Sequence, residues 1–184
     1  GCKVKAGLVE NNKPESNIWN GAILYRTAAL YPDYEKASDY RAKAAQFFVN
    51  GISVPSDQDS EDLYDGYRVQ DLFVGANFFD TYALNHHRYM NVGYMVICLS
   101  NIAMLHFAFR QAGESAPLAI YHHAKELWRL VRTMTFGDGR LLRIGGDTRV
   151  RYCYCQDYLL PVWAFIKDWL GEDCGTLEQG WLEM

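Results

Sequence analysis

Apolar side chains recur every three or four residues in five stretches of this chain, the spacing that places them on one face of a helix. The first stretch follows Pro14-Glu15-Ser16, where Ser16 can cap a helix carrying Trp19, Ala22, Ile23, Ala29 and Leu30 before Tyr31-Pro32 stops it. Asp33 can cap the second, with Ala37, Tyr40, Arg41, Ala44, Ala45 and Phe48 on one face and Asn50-Gly51 at its end. So short a turn requires the two helices to lie antiparallel and adjacent. The third runs through Val96, Leu99, Ile102, Ala103, Leu105, His106 and Phe109 to Gly113. Ser115 and Pro117 open a fourth, which carries Ile120, Ala124, Leu127, Val131 and Met134 on one side. In the fifth, Leu159, Val162, Trp163, Ile166 and Leu170 are in register, with Pro161 near the start and Gly171 at the end.

The segments between follow other rules. Residues 53–66 form an acidic run interrupted by Pro55 and Gly66, expected as a polar surface flap able to border a site. Residues 67–94 are irregular and aromatic. After Phe136 the period changes: Gly137-Asp138-Gly139 reads as a turn, 140–144 as a short strand, Gly145-Gly146-Asp147 as a second turn and 148–152 as a returning strand. The fold class expected is all-α, built of antiparallel helix hairpins with one small β-hairpin near 140–152. Paired helices of this kind make either a bundle or part of an α/α toroid, and no internal repeat marks a solenoid.

Composition narrows the class without naming a function. A chain of 184 residues fits one helical domain, 1–184, and buries about two thirds of its unfolded surface. Eighteen Lys and Arg against 22 Asp and Glu leave a net charge of −4, which repels phosphate backbones, so nucleic acid is not an expected partner. No run of apolar residues is long enough to predict a transmembrane segment. Tyr, Phe and Trp make up 15% of the chain, an amphipathic surface suited to sugars or interfaces; an aromatic core accounts for them equally well. Cys2, Cys98, Cys153, Cys155 and Cys174 lack C-x-x-C spacing, which predicts buried free thiols rather than a disulfide framework or zinc knuckle. The first ten residues hold no hydrophobic signal core and read as a mature or trimmed start, with Gly1-Cys2 compatible with a lipoprotein remnant.

Candidate chemistry concentrates in the irregular segments. Asn85-His86-His87-Arg88-Tyr89-Met90-Asn91, closing on Gly93-Tyr94, gathers two imidazoles, two phenols and two carboxamides, sufficient for general acid/base work on a sugar or uronate. Adjacent side chains point apart in an extended chain, so one of His86 and His87 is expected to be structural. Arg140, Arg143, Arg149 and Arg151 gather positive charge around Asp147. Arg149 and Arg151 share a strand face opposite Tyr152 and suit a carboxylate, while a charged edge that blocks strand pairing explains them as well. His122 and His123 lack the spacing of a helical metal site and read as an exposed helix turn, so no metal is expected.

Four segments together resemble bacterial heparinase II/III-like proteins: Glu15-Ser16-Asn17-Ile18-Trp19-Asn20; Ser53-Val54-Pro55-Ser56-Asp57; Val74-Gly75-Ala76-Asn77-Phe78-Phe79; and the histidine-containing stretch to Gly93-Tyr94-Met95. The similarity spans roughly the first hundred residues. Some related sequences read Glu-Asn-His-Gly where this chain has Asn85, His86, His87 and Arg88, so His87 and Tyr94 match and the residues before His87 do not. The resemblance implies an incomplete α/α toroid, a longer parent chain with a C-terminal β-domain, and a periplasmic or extracellular location. It also implies β-elimination at a uronic acid of an acidic polysaccharide, with no metal or organic cofactor. His87 would then be base or carboxylate neutraliser, Tyr94 or Tyr89 the phenol, and Asn85 or Asn91 a hydrogen-bond donor. His86, Arg149, Arg151, Tyr152 and Asp147 would contact substrate. Two alternatives remain: a glycoside hydrolase using carboxylates among Asp71, Asp80, Asp147 and Asp157, and a noncatalytic helical module that binds glycan or packs against another domain.

Overall fold

The computed structural model describes residues 2–142 and 154–184, which are mainly helical. In chain order they form α1 (Pro14–Leu30), α2 (Ala37–Val49), β1 (Leu63–Tyr64), β2 (Tyr67–Arg68), α3 (Val69–Leu72), β3 (Asn85–His86), β4 (Tyr89–Met90), α4 (Val92–Gln111), α5 (Ala124–Thr133), α6 (Leu159–Leu170) and α7 (Gly175–Leu182). The strands make two separate antiparallel pairs, β1 with β2 and β3 with β4. Single 3-10 turns lie at Pro55–Asp59, Leu118–Tyr121 and Tyr154–Gln156.

Helix α4 forms the centre. Met95, Val96, Cys98, Leu99, Ile102 and Ala103 point in several directions around it, and all are buried. A helix apolar on all sides must be covered on all sides, and α1, α5 and α6 pack around this one. It is long and apolar enough to cross a membrane by length and composition alone, yet 72% of that window is buried within the fold.

Helices α1 and α2 pair as expected, but through a different face of α1. Asn17, Ile18, Gly21 and Ala28 are buried, whereas Trp19, Ile23 and Leu30 are 48%, 65% and 75% exposed. Small size decides the contact. A Cβ at Gly21 would lie 2.7 Å from the Phe48 ring and 3.1 Å from the Phe47 Cβ, so the glycine lets α2 approach and the bulky apolar residues face outward. Neither expected cap forms: α1 begins earlier, at Pro14, where the missing N–H is harmless, and α2 begins after Lys36 without a side-chain cap. Beyond α2 the chain is tied by carboxamides. Asn50 donates to the Gln46 and Leu72 carbonyls and accepts from the Val74 N–H, while its own carbonyl accepts from both Asn17 and Asn77 at 2.7 Å.

Two expectations need correcting. Residues 53–66 lie mostly at the surface, as expected, but are anchored rather than a loose flap: Ser53, Val54 and Asp57 are buried, and Asp57 accepts the Val54 N–H at 2.9 Å. The end of this run is the turn of the β1–β2 hairpin, with Asp65 and Gly66 both left-handed (φ 54° and 87°). The fourth predicted helix is broken as well. It splits into the 3-10 turn at Leu118–Tyr121 and α5, separated by His122 and His123, the latter left-handed at φ 53°.

Arg140 and Leu141 pair backward, onto the end of α5. Thr135 bridges Leu141, and Phe136 N–H donates to the Arg140 carbonyl at 2.8 Å around left-handed Gly139. The expected return strand at 148–152, with Arg149, Arg151 and Tyr152, lies outside the described residues, as do Arg143, the turn residue Asp147 and Cys153. Cys98 and Cys174 are buried free thiols, Cys155 is buried, and Cys2 is exposed. Helix α7, which periodicity did not indicate, sits on the 137–139 turn through glycine: a Cβ at Gly180 would meet the Asp138 backbone at 2.6 Å.

Gly21→Val replaces a point of helix contact with a branched side chain aimed at Phe48. Chemical denaturation should show a loss of about 1–3 kcal/mol from overpacking, although valine has the better helix propensity.

Candidate functional site

The densest predicted motif folds into the β3–β4 hairpin, where His86 pairs with Tyr89 across a two-residue turn of His87 and Arg88. Both turn residues are left-handed, at φ 60° and 71°, the primed geometry that usually takes Asn-Gly. Each non-glycine residue held there costs about 1–2 kcal/mol. The turn cancels the divergence expected of neighbouring side chains. The His86 and His87 rings lie 4.2 Å apart, and both meet Tyr94, at 4.2 and 5.5 Å.

The three rings differ in environment. His87 is exposed, Tyr94 on the first turn of α4 is half-buried, and His86 is buried. Asn12 anchors His86: its Nδ2 donates to the Asn85 carbonyl at 2.5 Å, which leaves its Oδ1 to accept from His86 Nδ1, also at 2.5 Å. His86 Nε2 is then a buried acceptor without a partner among the described residues. Burial, with smaller electrostatic contributions from His87 and Lys13, pushes the His86 imidazole down to about 4, so it is neutral near pH 7.

The carboxamides divide. Asn91 caps α4, accepting the Tyr94 N–H at 3.1 Å, and donates to the Tyr89 hydroxyl at 3.0 Å. Its hydrogen bonds are thus spent inside the fold, which makes it a support for the motif rather than a substrate donor. Asn85 keeps a buried Oδ1 without a hydrogen-bond partner among the described residues. The hairpin and the first turn of α4 therefore bring together Asn85, His86, His87, Tyr89, Asn91 and Tyr94. Arg149, Arg151, Tyr152 and Asp147 lie outside the described residues, and the carboxylates weighed for hydrolysis, Asp71, Asp80 and Asp157, are exposed.

A second constellation was not anticipated. His122 is buried, not on an exposed helix turn, and its Nε2 lies 3.0 Å from Asp57 Oδ2; His123 Nε2 lies 2.8 Å from Asp57 Oδ1. Phenol oxygens sit behind each ring, Tyr64 at 3.4 Å from His122 Nδ1 and Tyr82 at 3.5 Å from His123 Nδ1. Burial opposes ionisation of Asp57, but hydrogen bonds from the two imidazoles outweigh it and hold the carboxyl well below its usual range. His122 is pushed down by its own burial, which exceeds the opposing pull of Asp57.

A third group joins α4 to α6. His106 Nδ1 meets the Tyr121 hydroxyl at 2.7 Å, its Nε2 meets Asp168 at 2.8 Å, and Arg110 also pairs with Asp168. Tyr121 stacks on Trp169 with centroids 4.8 Å apart. Residues 121–123 thus serve two networks, Tyr121 turning to His106 while the histidines turn to Asp57. No linear motif announces either group, because their members are 62 and 65 residues apart. The adjacent histidines were the only local signal.

Compared with family models, curated proteins and solved structures, the chain matches none.

The His86 environment has a pH signature. Its folded value, about 4, lies below the about 6.5 of an unfolded imidazole, so the unfolded chain binds the extra proton between the two. Stability should be full above about 6.5 and fall as pH drops toward about 4. Urea midpoints across this range should show a shallower fall in His86→Gln than in the parent chain, with the remaining slope of the same sign from His122 and His106, which burial also pushes down.

Proposed function

We propose that the chain is a carbohydrate-active helical domain, part of an α/α toroid, that carries out β-elimination at uronic acids of an acidic polysaccharide. The observation that carries this reading is the exposed His87 imidazole beside the Tyr94 phenol, with ring centroids 5.5 Å apart at the capped start of a buried helix. Elimination needs a base at C5 and an acid at the departing O4, and a base and phenol on one side of a sugar suit that transfer. In this reading His87 accepts the C5 proton and Tyr94 delivers one to O4. His86, neutral and with an Nε2 unpartnered among the described residues, contacts both rings and in this reading supports the pair. Asn85 contributes a carboxamide close to the substrate carboxylate, and Tyr89 is the second phenol, its oxygen receiving the Asn91 N–H.

One observation favours a second reading, in which the helices act as a packing layer beside another domain. Trp19, Ile23 and Leu30 form an outward apolar stripe on α1 that nothing among the described residues covers.

Incubation with uronate-containing polysaccharides should yield an unsaturated product that absorbs in the ultraviolet. His87→Ala and Tyr94→Phe should each lower the rate by about 10²–10⁴-fold. Unchanged turnover in His87→Ala would exclude His87 as the base. New reducing ends without unsaturation would replace elimination by hydrolysis, and no product of either kind would leave the packing layer as the function.

A further inference from the structure

We propose that Asp57, His122 and His123 bind one divalent transition-metal ion, zinc by the chemistry of the donors. Their ligand atoms, one carboxylate oxygen and two imidazole nitrogens, all lie within 4.8 Å of one another. Zinc bound at about 2.0–2.2 Å to such donors sets neighbouring ligand atoms roughly 3.3 Å apart in a tetrahedron. His122 Nε2 lies 3.0 Å from Asp57 Oδ2 and His123 Nε2 lies 2.8 Å from Asp57 Oδ1, both shorter than that edge and on different oxygens, so an ion between the two nitrogens requires the ligands to spread slightly and the carboxylate either to turn or to offer both oxygens. Two nitrogens and one oxygen suit zinc better than calcium or magnesium, which prefer oxygen alone.

Three features distinguish this arrangement from an ordinary buried hydrogen bond. Backbone geometry is the first. Adjacent imidazoles converge on one carboxylate, with ring centroids 3.9 Å apart, only because His123 is left-handed, and a single hydrogen bond to Asp57 would not require that strain. Charge is the second. Asp57 is buried, and its ion-pair partners among the described residues are both imidazoles, one of them deeply buried itself. A buried carboxylate needs a cation, and a metal supplies it without protonating either ring. The third is the outer layer. Histidines that hold a metal through one nitrogen usually donate from the other to an oxygen, and Tyr64 and Tyr82 stand at those positions. Access is from the side of His123, whose side chain is 20% exposed; three protein ligands would leave a fourth position for a solvent oxygen.

This inference is independent of the elimination chemistry, which requires no metal, so its test uses binding alone. The untagged chain is stripped with chelator, dialysed and titrated calorimetrically with zinc chloride, and in parallel with cobalt(II), whose visible d–d bands report nitrogen and oxygen coordination. One equivalent of each metal is expected, with a rise in melting temperature on zinc addition. His123→Asn keeps a residue that tolerates the left-handed turn and can still hydrogen-bond Asp57. Affinity should fall by more than the about 10–100-fold that a supporting partner is worth, while Tyr82→Phe should fall within that range. No uptake by the parent chain, or equal uptake by folded His123→Asn as judged by circular dichroism, overturns the proposal and leaves an internal carboxylate–imidazole pair.

Discussion

Helix α4 has almost no polar face to offer water, and the fold is arranged around that fact. From Val92 to Phe109 its buried side chains point toward α1, α5 and α6 together, so the helix can exist only inside. Polar groups that must lie near it are pushed to its ends and edges. At the N-terminus Asn91 satisfies the Tyr94 N–H and fixes the β3–β4 hairpin against the first turn. Toward the C-terminus His106 escapes the apolar interior by reaching Tyr121 and Asp168. The same pressure explains the carboxamide knot around Asn50. Where α2 ends inside the protein, its carbonyls and those of the following segment have no water, and Asn17, Asn50 and Asn77 supply the missing partners.

Of the six non-glycine residues with left-handed backbone among the described residues, His87, Arg88 and His123 lie in two histidine-bearing turns. The β1–β2 hairpin shows the low-cost solution, Asp-Gly at the two left-handed positions. The β3–β4 hairpin takes the same geometry with His87 and Arg88, and His123 takes a left-handed conformation alone before α5. In each place the consequence is the same: side chains of neighbouring residues, which would diverge on a regular strand, meet ring to ring. Strain of this kind persists only where its surroundings over-determine it, and functional sites are where it clusters.

What was legible in the sequence follows from the same physics. Helices α2, α4 and α6 were readable because their apolar spacing is also their burial pattern. On α1 the two differ: the large apolar residues face out and the contact is made by Gly21 and Ala28, a distinction of size that hydrophobic periodicity does not carry. The helix expected across residues 115–134 has a continuous apolar period through His122 and His123, but the chain breaks there, where both histidines hydrogen-bond Asp57 from a distant segment. Residues 85–94 stood out as a cluster because they are contiguous. The Asp57 group did not, since its carboxylate hid in an acidic run that looked solvated. The Asp65-Gly66 turn, flanked by tyrosines, was a hairpin signal masked by that same run.

The two histidine turns are also mechanically joined. The Tyr82 and His123 rings meet at a tilt with centroids 5.2 Å apart, and Tyr82 is itself left-handed, its N–H donating to the Phe79 carbonyl at 2.7 Å. Two residues on, the Leu84 carbonyl accepts the Asn91 N–H at 2.9 Å, and β3 begins. A short path therefore leads from Asp57 through His123 and Tyr82 to the hairpin that presents His87. On the other side Asn12 grips both the Asn85 carbonyl and His86 Nδ1. The exposed imidazole is consequently borne on a strained turn braced from two directions. Loosening either brace would let the turn relax toward an extended geometry in which His86 and His87 point apart, separating His87 from Tyr94 without altering either residue.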